Sequence, residues 1–174
     1  MSWSRAIALI IVLGVPPLAH AQDSRAGSPL RIDRADGTIR TDHLAVVTYA
    51  SDEVVKAGSE LSLVFEITPR ARMHVYAPGA EPYQIIRLQL DPHPAVTPGT
   101  LEYPPSELYL LEPINERMPV YQKPFVLRQP VVVRPSATGG RQLTIKGTLR
   151  YQACDDRVCF APKSVPVSYS ITVR

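Results

Sequence analysis

Cys154 and Cys159 are the only cysteines in this chain of 174 residues, with four residues between them in the stretch RYQACDDRVCFAPK. Three chemistries suit such a pair: a passive staple, part of a metal clip, or a dithiol–disulfide couple that opens and closes. As a staple the bridge has little to offer. Closing so short a loop is worth about 2 kcal/mol in the chain-entropy picture, against nearly 5 for a very long one. A chain of this length can bury a sufficient core without it. A metal clip lacks ligands. Structural zinc takes four, usually as two closely spaced pairs, and His43, His74 and His93 lie far from the cysteines in sequence. Met73, His74 and Met118 offer soft donors of the kind that suit Cu(I). Methionine and histidine in strands serve packing more often, so no metal and no cofactor is expected.

Local charge bears on a redox couple. Asp155 and Asp156 raise the pKa of a neighbouring thiol and Arg157 lowers it. The sum is not the electropositive setting of a strongly activated thiolate. It suits a disulfide that is attacked by a thiolate from elsewhere. It also suits a turn that is merely well solvated, so staple and redox couple both stand on these residues alone.

The elements that must position the pair read as β-strands. In RQLTIKGTLRYQ, Leu143, Ile145, Leu149 and Tyr151 share one face, while Thr144, Lys146, Thr148 and Arg150 share the other. SVPVSYSITV repeats the pattern with Val165, Val167, Tyr169 and Ile171, and ELSLVFEIT does so with Leu61, Leu63, Phe65 and Ile67. Period two with one apolar face marks half-buried antiparallel strands. HLAVVTYA, RMHVY, QIIRLQL and FVLRQPVVVR are further candidates. Eighteen prolines, about twice the usual share, break any stretch that might have become a helix. The expected fold is all-β, a single immunoglobulin-like antiparallel β-sandwich of seven to nine strands. Residues 91–123 read as its least regular part, with long loops. The cysteines fall between two of the clearest strands, and DDRV is a natural four-residue hairpin connection. Residues flanking such a loop in a non-hydrogen-bonded pair lie within disulfide reach.

Compartment follows from the N-terminus. MSWSR carries one positive charge, AIALIIVLGV is apolar, and Ala19-His20-Ala21 fits the small-x-small rule for a signal peptidase. The apolar run falls short of the roughly 20 residues that span a bilayer. Residues 1–21 are expected to be a signal peptide, 22–40 a flexible lead-in and 41–174 the folded domain, periplasmic or secreted and not membrane-embedded after cleavage. In such an oxidising space a cysteine pair rests as a disulfide. The formal net charge is only +3, with Lys and Arg scattered, which gives no support to a nucleic-acid partner.

YQACDDRVCFAPKSVPV resembles the C-terminal part of the N-terminal periplasmic domain of the thiol:disulfide interchange protein DsbD. Tyr151-Gln152, the two cysteines, the aromatic after the second, Pro162 and the Val-Pro-Val strand carry the likeness. The upstream order, RMHVYAPG and then PVYQKPFVLRQPVVV, extends it over residues 40–174. The loop between the cysteines is one residue shorter than in the better-known members. The resemblance implies an immunoglobulin-like sandwich with redox-active cysteines at an exposed hairpin. It implies exchange through mixed disulfides with thioredoxin-like periplasmic proteins, including disulfide isomerases and the thioredoxins of cytochrome c maturation. By position, Cys159 joins the partner and Cys154 resolves the adduct. A covering loop is implied near residues 112–118, with Ile114 or Met118 as its apolar tip, and His74 and Tyr76 fall near the family's active-site tyrosines. The full-length protein has its own membrane conductor, whereas this chain ends at Arg174, so a separate membrane electron donor is expected. The reading from another class is a secreted binding module whose bridge only fixes a hairpin.

Overall fold

The computed structural model describes residues 38–111 and 115–174. They contain strands and no helix, in the order β1 (Thr38–Arg40), β2 (Leu44–Ala50), β3 (Val54–Val55), β4 (Glu60–Pro69), β5 (His74–Tyr76), β6 (Arg87–Leu90), β7 (Val96–Pro98), β8 (Glu107–Leu111), β9 (Glu116–Tyr121), β10 (Phe125–Val133), β11 (Gln142–Tyr151), β12 (Ala153–Cys154) and β13 (Lys163–Val173). The first sheet runs β1-β2-β4-β10-β7 and the second β3-β13-β11-β6. A third, β12-β5-β9-β8, carries the cysteine segment. The pairings are antiparallel except for a short parallel contact between β3 and β13.

Alternation explains the two large sheets. Leu61, Leu63, Phe65 and Ile67 of β4 and Leu127, Val131 and Val133 of β10 point inward from the first. Ile145, Leu149 and Tyr151 of β11 and Val165, Val167, Tyr169, Ile171 and Val173 of β13 point inward from the second. These residues form one core, and full burial of each large aliphatic or aromatic side chain contributes about 1.5–3 kcal/mol. The Phe65 and Tyr169 rings meet edge to face across it, centroids 5.7 Å apart. The result is the expected immunoglobulin-like sandwich. Gly147 is required where β6 lies against β11, since a Cβ there would sit 2.8 Å from the Gln89 carbonyl oxygen.

Three expectations change. The last residues of the supposed lead-in, Thr38–Arg40, are strand β1 on the edge of the first sheet; the rest of that segment and the signal peptide lie outside the described residues. Residues 91–123 are more regular than expected. They hold β7 and the hairpin of β8 and β9, registered from Glu107 opposite Val120 to Leu111 opposite Glu116. Third, within the covering segment expected at 112–118, Glu116–Met118 are strand in β9, while residues 112–114, Ile114 among them, lie outside the described residues.

The long hairpin of β11 and β13, paired from Gln142 opposite Thr172 to Tyr151 opposite Lys163, is the arm that presents the cysteines. Its end next to the cysteines is anchored by the Tyr151 hydroxyl, 2.9 Å from Thr41 Oγ1 and 3.5 Å from His43 Nδ1. Burial pushes the hydroxyls of Tyr76, Tyr121 and Tyr151 up to about 12, and that of Tyr169 higher still. In the unfolded chain these groups titrate near 10. The stability they confer is therefore fully present below about pH 10 and is lost as pH rises through about 12. Urea unfolding of the oxidised protein should show a midpoint that holds up to about pH 9.5 and then drops steeply; a midpoint unchanged to about pH 11.5 would contradict this burial.

Candidate functional site

After Tyr151 the chain leaves the second sheet. The backbone N–H of Gln152 donates to the Gln84 carbonyl (3.2 Å). Its side chain accepts from the Gln84 N–H (3.2 Å) and donates to the Phe160 carbonyl (3.1 Å). Thus redirected, β12 pairs with β5, placing Ala153 opposite Val75 and Cys154 opposite His74. Within the tip, Asp155 N–H donates to the Val158 carbonyl (3.0 Å) and Phe160 N–H to the Ala153 carbonyl (2.9 Å). Those two bonds bracket Cys154 and Cys159 as a non-hydrogen-bonded antiparallel pair, the arrangement that brings Cα atoms closest. Their Cα atoms are 4.0 Å apart and the sulfurs are bonded. Asp155 Oδ1 accepts the N–H groups of Val158 and Arg157, both at 2.8 Å, which closes the turn. Those same bonds, that from Val158 first, hold its carboxyl below the usual aspartate range.

The two sulfurs differ in access. Cys154 is 1 % exposed, whereas Cys159 is exposed. The Tyr76 hydroxyl lies 3.2 Å from Cys154 Sγ and 3.4 Å from Cys159 Sγ. A bonded cystine has no hydrogen, so the hydroxyl is the donor. Burial, with Tyr83 as a lesser cause, keeps Tyr76 neutral up to about pH 12. The Tyr83 ring stacks on Tyr76 at 4.3 Å. The His74 ring meets Tyr76 edge-on at 5.7 Å and lies tilted against Tyr109 at 4.5 Å. Tyr76, Ala80, Val120 and Cys154 form a buried cluster of their own, with Tyr83, Ile85, Tyr109 and Met118 packed around it.

Asp156 ties this cluster together at the surface. Its Oδ2 accepts from Arg72 Nε (2.9 Å) and Nη2 (2.8 Å), and its Oδ1 accepts from the Tyr109 hydroxyl (3.3 Å). Arg72 reaches it from a left-handed backbone position, φ 66°, in the turn before β5. On the other flank the His43 ring lies 4.6 Å from Phe160, the residue after Cys159.

Of the residues singled out in the sequence, Cys154, Cys159, His74, Tyr76 and Met118 are brought together. Met118 arrives on β9 opposite Tyr109 and not on a loop. Tyr83, Tyr109 and the pairing of Asp156 with Arg72 are not singled out in the sequence, and His43 is considered there only as a metal ligand. Tyr109 had a signal, since ELYLL alternates and leaves a lone Tyr on the face opposite Leu108 and Leu110; the prolines around it masked the strand. Nothing local marks Arg72, whose partner is 84 positions away.

Residues 43–169 match the family of the N-terminal domain of thiol:disulfide interchange protein DsbD. The chain belongs to this family. Its fold is shared with the N-terminal periplasmic domain of ScsB from Proteus mirabilis, at 13 % identity and a TM-score of 0.55 over 78 % of this chain and 50 % of that one. The chain thus spans about half the length of that relative. The reduced DsbD N-terminal domain of Neisseria meningitidis aligns at 18 % identity and a TM-score of 0.45, over 81 % of this chain and 90 % of that one. No curated protein sequence matches the chain. Membership in the DsbD N-terminal family and the bonded cysteine pair support thiol–disulfide exchange in general. Among the described residues no helix is long and apolar enough to cross a membrane.

The hydroxyl of Tyr76 should tune the reduced pair, because donation to a thiolate favours the charged form. In Tyr76→Phe the pH dependence of Cys159 alkylation in the reduced protein should move up by about one unit, with the far-ultraviolet circular dichroism unchanged. An alkylation profile that stays in place would show that the hydroxyl serves packing only.

Proposed function

We propose that this protein is a periplasmic electron shuttle whose Cys154–Cys159 couple exchanges with thioredoxin-fold partners. One observation carries the reading: the disulfide is asymmetric, with Cys159 exposed and Cys154 1 % exposed. Disulfide exchange requires an attacking thiolate to reach one sulfur in line with the bond it breaks. Only Cys159 offers that approach. A partner thiolate forms a bond to Cys159 Sγ, the bond to Cys154 breaks, and Cys154 leaves with the electron pair and takes up a proton. The partner's second thiol then attacks the mixed disulfide, which leaves this protein as the dithiol and the partner oxidised. Onward delivery runs the same steps in reverse. Cys159 attacks a downstream disulfide, and Cys154 displaces the reduced product.

The setting favours this use over a staple. The tip is held by hydrogen bonds from Gln152, Asp155 and the backbone as well as by the bridge. Tyr76 supplies a neutral donor to whichever sulfur carries charge. The exchange partners are the thioredoxin-like proteins that the family resemblance implies.

Equilibration with thiol buffers, followed by alkylation and mass measurement, should place the couple near about −200 mV. A bridge that stays oxidised below about −300 mV would be structural, and the protein a binding module. In Cys154→Ser, Cys159 should accumulate a mixed disulfide with a periplasmic thioredoxin-fold protein that thiol reductant releases. Cys159→Ser should give none. Equal trapping by both variants would remove the assignment of roles.

A further inference from the structure

His74 is a buried, titratable side chain that the steps above leave unused. It is 1 % exposed, and its Nε2 has no hydrogen-bond partner among the described residues. It stands directly opposite Cys154 in the β12–β5 pair. Residues so opposed project from the same face with Cβ atoms about 4.5–5.5 Å apart. An unpartnered buried nitrogen costs stability and calls for a physical reason. The chemistry of its neighbour supplies one. In the disulfide, Cys154 carries no hydrogen to give. In the dithiol it carries one, and it is enclosed away from water.

We propose that His74 is the proton acceptor for Cys154: its Nε2 takes the Cys154 S–H proton as that sulfur attacks Cys159 to release a bound partner. This deepens the exchange reading and rests on it. In the step the Cys154 S–H bond breaks and an Nε2–H bond forms. The Cys154–Cys159 bond forms as the Cys159–partner bond breaks, and the partner leaves as a thiolate with the electron pair. In the opposite direction the protonated imidazole returns the proton to Cys154 as it departs from the disulfide.

The surroundings leave few rivals for the task. On β5 itself Tyr76 holds its own proton to about pH 12. From β8, Tyr109 lies against the His74 ring and donates its hydroxyl to Asp156. At the tip, Asp156 is engaged by Arg72 and Asp155 by the backbone of Arg157 and Val158. Burial lowers the pKa of His74, a tendency that Asp156 and then Asp155 oppose. The imidazole is thus neutral, and ready to accept, through the neutral pH range.

The test uses the reduced full-length protein and dithiobis(nitrobenzoate), an aromatic disulfide that releases one coloured thiolate when Cys159 attacks it and a second when Cys154 closes the bridge. The second phase in the wild-type protein should be nearly independent of pH between about 6.5 and 8.5, whereas an unassisted thiol gains about tenfold per unit there. In His74→Gln and His74→Phe the second phase should slow about a hundredfold and regain the thiol-like slope, while the first phase serves as the internal reference for general damage to the fold. A wild-type second phase that climbs tenfold per unit overturns the proposal even if neither variant folds. Variants that keep the wild-type rate and profile overturn it as well. A wild-type disulfide that no dithiol opens sinks the exchange reading instead.

Discussion

Pairing of β12 with β5 is the constraint on which the site depends. Two residues of backbone, Ala153 and Cys154, leave the sandwich to join a different sheet. That detour seats Cys154 beside Tyr76 and His74 in a buried aromatic cluster. The turn of only four residues that follows brings Cys159 back outside. One sulfur is thereby fixed inside and its bonded neighbour outside.

The cluster is held by weak, directional contacts rather than by bulk burial. Tyr83 stacks on Tyr76 and Tyr109 lies on His74. Such ring pairs add about 0.5–1.5 kcal/mol each beyond the area they bury. Asp156 joins Tyr109 to Arg72 across the surface. That ion pair is largely solvated, and pairs of this kind contribute little to stability. Its effect is geometric, keeping the tip, the β4–β5 turn and β8 in one arrangement. The site is also tied to the sandwich, since Val75 of β5, Tyr121 of β9 and Ala153 of β12 belong to the main core.

Much of the fold was legible because alternation is local. Leu61 to Ile67, Ile145 to Tyr151 and Val165 to Val173 each announce an inward face with no knowledge of the partner strand. The hairpin of β8 and β9 was not legible. Pro119 argues against an interior strand, yet β9 lies between β5 and β8, and the Pro119 carbonyl accepts from Ala77 N–H at 3.0 Å. Proline lacks a donor but keeps its acceptor, and that is the group this contact uses. Tyr109 is lost with its strand, and the sequence shows Asp156 only as a charge beside the cysteines because its partners lie far along the chain.

The sequence by itself determined the all-β class, the strands of the sandwich and the closeness of the two cysteines. All three follow from periodicity and from the short span of a four-residue turn. Only the tertiary structure decided which sulfur is buried, and that Tyr76, His74 and Tyr109 surround it. Side-chain alternation says which residues share a face, but it does not say which sheet a strand joins. That choice is made by pairing between segments some eighty residues apart, such as Cys154 with His74, and its energy depends on the whole packed chain.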